Sequence, residues 1–235
     1  MKLLWTLFLI WGAALVAAEP GATADARQKP DSDNPLLPRV MIIGDSISVG
    51  YTDGVRAELA GKANVYRVQG NAGPSSSGVQ QVDKWIASGT GRWDVIHFNF
   101  GLHDVKLGTG GKDNQPYPTA DGHQVAADDY ERNLRQIVAQ LKPTGATLIW
   151  CSTTPIPQGK LDPPRRPGDE LIYNQIARKV MLENGVTIND LHAAALSHQP
   201  GIQQPANVHF TKEGSAVLAR HVAASIKAAL QNRAP

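Results

Sequence analysis

Short apolar runs alternate with amphipathic stretches of helical spacing along most of the chain, and that alternation limits the fold more than any other feature. The runs at Arg39–Ile43, Asn64–Val68, Asp94–Phe100, Thr147–Cys151 and Val186–Asn189 read as strands. Helical stretches follow at about Val49–Leu59, Ser76–Ala87, Ala126–Leu141 and Asp169–Glu183, and Thr211–Leu230 closes the chain as a long helix. Tyr130, Leu134, Ile137, Val138 and Leu141 share one helical face, and Pro143 and Gly145 stop that helix. Strands separated by helices give right-handed crossovers and a parallel sheet covered on both faces. The expected fold is α/β, a three-layer α/β/α sandwich on a five-stranded parallel sheet, with the apolar third strand at its centre.

The first residues stand outside that domain. Lys2, the apolar stretch Leu3–Val16 and the small residues Ala17 and Ala18 before Glu19 have the layout of a secretory signal peptide over residues 1–18. The stretch is shorter than the roughly 20 residues a bilayer span requires, so no stable membrane insertion is expected after cleavage. The expected location is secreted or periplasmic. Residues 19–38, rich in Pro, Ala, Asp and Gly, read as a disordered leader, and residues 39–235 as one domain with a substantial core. Cys151 is the only cysteine, which rules out an internal disulfide, and it reads as a small buried hydrophobe. The net charge of +2 is spread along the chain, so no nucleic-acid partner is indicated. Oligomeric state leaves no mark in the sequence.

The first strand ends abruptly in Gly44-Asp45-Ser46. A strand that stops at glycine delivers the next side chains to the carboxyl edge of the sheet, where open α/β sheets collect ligands. Ser46 is there a candidate nucleophile, while the plain reading is a strand-to-helix turn capped by Asp45 or Ser46. Three further points reach the same edge: Asn71-Ala72-Gly73, Gly101-Leu102-His103-Asp104, and Val208-His209-Phe210-Thr211. Two connections at that edge, Leu102–Gln124 and Thr153–Gly168 with its five prolines, are longer than the crossovers need. Acyl transfer needs a nucleophile, a base and donors for a developing oxyanion, and these residue types meet that need. Among the remaining histidines, His97 reads as a core residue with a satisfied N–H, and His123 as a candidate lining of the cleft. No histidine pair has metal-ligand spacing. The glycines of Gly108–Lys112 lack the hydroxyl residue and strand-to-helix setting of a phosphate loop.

Over nearly all of residues 39–230 the set resembles the SGNH hydrolases, the GDSL-type esterases, whose fold is flavodoxin-like. Gly44-Asp45-Ser46-Ile47-Ser48 matches the first block of that family, Asn71-Ala72-Gly73-Pro74-Ser75 the second, and His209 with Gly214 the last. The resemblance implies Ser46 as nucleophile, His209 as general base, the Ser46 and Gly73 N–H groups as oxyanion donors, and no cofactor. Two departures stand out. His103 replaces the asparagine of Gly-x-Asn-Asp; its ring N–H can donate in the amide's place, or it only packs the loop and the hole keeps two backbone donors. Ala206 replaces the aspartate three residues before the histidine, so a Ser–His dyad is expected. The Asn207 amide oxygen or a backbone carbonyl is left to orient His209, and Asp190 reads as a cap for the turn at Leu191.

The resulting expectation is an exported serine esterase acting on carboxylic, chiefly acetyl, esters of a carbohydrate or small molecule. Lys106, Lys112, Asn114, Tyr117 and Asp121 make the long loop too polar for a lipid-binding rim. The alternatives are a non-catalytic carbohydrate-binding protein on a decayed esterase scaffold, a lipase- or thioesterase-type acyl hydrolase, and an acyltransferase using the same residues.

Overall fold

A computed structural model describes residues 33–88, 91–110, 115–117 and 119–232. The expected signal peptide lies outside the described residues, as do Lys112 and Asn114. The described chain runs β1 (Arg39–Ile43), α1 (Ser46–Glu58), β2 (Asn64–Arg67), α2 (Ser75–Ala87), β3 (Val95–Phe98), β4 (Thr109–Gly110), β5 (Gln115–Pro116) and α3 (Ala127–Leu141). It continues through β6 (Thr147–Cys151), α4 (Asp169–Glu183), β7 (Thr187–Asn189), α5 (Leu191–Leu196) and α6 (Lys212–Gln231).

Five strands form a parallel sheet in the order β2-β1-β3-β6-β7, which puts β3 at the centre. Reversal of the strand order between β1 and β3 opens a crevice at their carboxyl ends. On one face α1 packs against α6; α2, α3 and α4 pack in sequence on the other. The interior strands bury every residue of β3 and nearly all of β1 and β6, as expected for a sheet covered on both sides. Tyr130, Leu134, Ile137, Val138 and Leu141 form the fully buried stripe of α3.

The structure departs from the sequence reading in a few places. α1 begins at Ser46 rather than near Val49, because the Asp45 carboxylate accepts the Ile47 N–H at 2.9 Å and caps the helix. The long Leu102–Gln124 connection carries the small antiparallel pair β4–β5, and the one-turn-and-a-half helix α5 follows β7. The end of the leader is docked: Asn34 N–H donates to Asn64 Oδ1 (3.0 Å), Asn64 Nδ2 donates to Asn34 O (2.7 Å), and the Tyr66 hydroxyl donates to Asp33. His97 is wholly buried in β3, and burial pushes its pKa down to about 3. Asn189 Nδ2 faces its Nε2 at 3.2 Å while Nδ1 has no partner among the described residues, so its N–H is not satisfied as expected.

Candidate active site

Ser46 is the first residue of α1, where the helix cannot use its N–H and where the helix dipole favours negative charge. The turn beneath it is tightly held. Ser48 Oγ donates to Asp45 O at 2.6 Å, Arg67 Nη1 reaches Ser48 Oγ at 3.3 Å, and Ala72 N–H donates to Gly44 O at 3.1 Å. Asp45 itself is buried, and burial raises its pKa against the opposing pull of the Ile47 N–H and of Arg165, His209 and Lys106.

His209 arrives from the other end of the chain, in a hairpin-like excursion before α6. Thr211 N–H donates to Ile202 O (2.9 Å), Gln203 bridges Phe210, and Gln204 N–H donates to His209 O (2.9 Å). At its tip Asn207 N–H reaches Gln204 O at 3.3 Å. Pro205 stands at the second position and Ala206, with φ of 48°, at the third, the pattern of a type II turn. His209 Nε2 lies 2.8 Å from Ser46 Oγ, and His209 Nδ1 lies 2.7 Å from Asn207 Oδ1. The Asn207 oxygen also accepts the His209 backbone N–H at 3.0 Å. Nδ1 therefore carries the imidazole proton, and Nε2 presents its lone pair to the serine hydroxyl. The expected dyad becomes a serine–histidine–asparagine triad, with a neutral amide where a carboxylate is usual. Asp190 takes no part: it caps α5 through Ala193 N–H and accepts from Ser152 Oγ.

His103 stands three residues before Lys106 in the tight bend that follows Gly101, with Val105 N–H on Gly101 O and Lys106 N–H on His103 O. Spacing of three residues in such a bend puts both side chains on one side. The Lys106 ammonium donates to His103 Nδ1 at 2.9 Å. An ammonium cannot accept, so the His103 proton sits on Nε2. Burial, then the charges of Lys106, Arg165 and His209, push the His103 pKa down to about 3 and keep the ring neutral. Arg165 braces the same bend by donating from Nε to Leu102 O at 2.7 Å. Gly101 is required by close approach: a Cβ there would lie 2.0 Å from Thr153 Oγ1.

Gly73 does not present the free donor expected of it. Its N–H donates to Asn71 Oδ1 at 2.9 Å, closing an Asx turn, and its φ of 72° explains the glycine by conformation alone. At the start of α2, Ser75 N–H goes to Asp104 Oδ1 (2.8 Å), while Ser77 and Gly78 N–H go to Pro74 O. Pro74 has no side-chain acceptor, and no side-chain cap closes that helix end among the described residues. The Asp104 Oδ2 atom is buried without a partner among the described residues, and burial raises the carboxyl pKa to about 7.

The loop residues expected at the rim divide. Lys106 belongs to the His103 bend, and the Tyr117 hydroxyl donates to Gln124 Oε1 at 3.4 Å. His123 is buried outside the serine–histidine contact, its ring nitrogens 2.6 Å from Asp121 Oδ2 and 2.6 Å from Asp169 Oδ2. It fastens the long loop to the first turn of α4.

A serine hydroxyl bonded to a lone-pair-bearing imidazole, at the carboxyl edge of a parallel α/β sheet, is an arrangement that acyl transfer can use. The family model of the GDSL-like lipase/acylhydrolase family matches residues 42–217, and the chain belongs to that family and is a carboxylic ester hydrolase. Its fold is similar to that of the lipase/acylhydrolase from Enterococcus faecalis, with a TM-score of 0.64 and 19% identity over 82% of this chain and 96% of that one. It is also similar to an acetylxylan esterase from Geobacillus stearothermophilus, with a TM-score of 0.63 and 21% identity over 80% of this chain and 94% of that one. No curated protein matches the sequence.

Proposed function

We propose that the protein is an exported esterase that removes acetyl groups from carbohydrate through an acyl-enzyme on Ser46. The observation that carries the catalytic reading is the Ser46 Oγ–His209 Nε2 contact of 2.8 Å, with the opposite ring nitrogen bound to Asn207. Ser46 Oγ attacks the ester carbonyl carbon as its proton passes to His209 Nε2. The carbonyl oxygen becomes negative and is met by the Ser46 N–H and the His103 Nε2–H. His209 then returns the proton to the departing alcohol as the carbon–oxygen bond breaks. Water, deprotonated by the same nitrogen, attacks the acyl-serine and releases the acid and the serine.

Carbohydrate is favoured by the polar make-up of the edge, where His103, Lys106, Asn71 and Tyr117 stand and Val49 is the one large exposed apolar residue of the first turn of α1. Structural neighbours described as acetylxylan esterases point the same way. Export is read from the first 18 residues of the sequence. The test is release of p-nitrophenol from its acetate ester, followed by release of acetate from acetylated polysaccharide. Turnover by the wild type and none above background by Ser46→Ala is the expected result. A wild type no faster than Ser46→Ala on both substrates would establish a non-catalytic scaffold, and preference for long-chain esters would make it a lipase.

A further inference from the structure

An asparagine is an ambiguous third member of a triad. A carboxylate offers an acceptor with either oxygen, whereas an amide offers an acceptor at one end and two donors at the other. Turned the wrong way, Asn207 would aim its NH2 at His209 Nδ1. The imidazole proton would then move to Nε2, and that nitrogen could no longer take the serine proton. Something must select the productive face, and the structure contains a chain of bonds that does so. Asn207 Nδ2 donates to Gln204 Oε1 at 3.1 Å, and Gln204 Nε2 donates to Phe210 O at 3.1 Å. The chain ends on a main-chain carbonyl, a group that can only accept, so the orientation of Gln204 is fixed, and with it that of Asn207. At the other end the His209 backbone N–H, which can only donate, holds Asn207 Oδ1 at 3.0 Å.

We propose that Gln204 is a positioning residue for acyl transfer, holding the Asn207 amide in the face that keeps the His209 proton on Nδ1 and Nε2 free to act as base. The geometry follows from the type II turn, which brings residues 204 and 207 side by side, the first and last of its four. Gln204 acts through Asn207 and touches neither the serine nor the imidazole ring by any bond of this relay. The inference rests on the Ser46–His209 reading above, and its test includes a measurement that needs no turnover.

The experiment is a pair of substitutions in two backgrounds. Gln204→Leu is expected to lower kcat on p-nitrophenyl acetate by ~5- to 10-fold with KM unchanged, the scale of one lost hydrogen bond. In an Asn207→Asp background, where either carboxylate oxygen serves, the same Gln204→Leu change is expected to cost less than about twofold. An equal loss in both backgrounds would reduce Gln204 to a prop for the hairpin and overturn the proposal. Nitrogen-15 spectra of the imidazoles give the independent readout: the His209 Nδ1–H tautomer in the wild type, and a mixture in Gln204→Leu. Should the wild type hydrolyse no ester, the functional reading fails, and the tautomer shift alone decides the role of Gln204. Unchanged spectra would overturn it. Near-ultraviolet circular dichroism and the melting temperature check that each variant is folded.

Discussion

Lys106 Nζ stands 2.9 Å from His103 Nδ1, so an ammonium faces a ring nitrogen whose only available role is to accept. The ring is left neutral with its N–H on the far side, which is what an amide donor would supply. His103→Asn is therefore expected to keep kcat within about 10-fold of the wild type, while His103→Ala loses ~10²-fold, the usual cost of one oxyanion donor. Steady-state kinetics on p-nitrophenyl acetate checks both, and an equal loss in the two variants would mean that His103 only packs its loop.

Removing the lysine tests the other half of that relationship. Lys106→Met keeps the length of the stem and its packing but frees the imidazole to hold its proton on either nitrogen. A kcat lower by ~3- to 10-fold is expected in the presence of His103, and no loss beyond twofold in a His103→Asn protein, on the scale of one charge-assisted hydrogen bond. A cost that survives in the asparagine background would assign Lys106 to the substrate instead.

Asp104 makes stability depend on pH in a direction opposite to that of most carboxylates. Burial raises its pKa from 3.8 to about 7, so the folded protein holds a proton there that the unfolded chain has already released. The associated stability is fully present below 3.8 and is lost as pH rises towards about 7. Asp104→Asn keeps the acceptor for Ser75 N–H and removes the ionisation. Its urea midpoint relative to the wild type is expected to increase steadily from pH 4 to 7 and then level off. A difference that stays flat with pH would show that Asp104 ionises normally.

Gly54 of α1 is pressed against α6, where a Cβ would lie 2.6 Å from the Ala219 methyl carbon. Neither atom can swing aside, so Gly54→Ala must push the helices apart. A loss of ~1–3 kcal/mol in chemical denaturation is expected, the usual cost of overpacking. Ala219→Gly introduced alongside it should restore most of that stability, and a failure to restore would mean that the strain lies within α1.

Much of this molecule is legible in its residue order. Alternation of apolar runs and helical spacing led to the parallel sheet and its central strand because burial on both faces demands continuous apolar runs. The sheet-edge positions of Ser46 and His209 were legible because one follows a strand that stops at glycine and the other leads into the last helix, while their roles came from the resemblance. The parts that escaped depend on conformation between neighbours. The resemblance of Asn71–Ser75 to the family's second block implied Gly73 as a donor, but the Asn71 side chain, two residues back, closes on its N–H. Asn207 was one of several ways to orient His209, and the role of Gln204 only emerges from a turn in which Ala206 adopts a positive φ that alanine seldom takes. α5 is six residues long, below the length at which periodicity marks a helix.

The close seam between α1 and α6 has a consequence for how this protein loses activity. Ser46 heads α1 and His209 leads into α6, so groups 163 positions apart meet through the spacing of two helices that touch glycine to methyl. That contact is short-range and apolar, and a separation of a few tenths of an ångström along it lengthens the hydroxyl–imidazole bond directly. Turnover is thus expected to gauge helix separation, falling on gentle heating or in low denaturant before far-ultraviolet circular dichroism registers loss of the sheet.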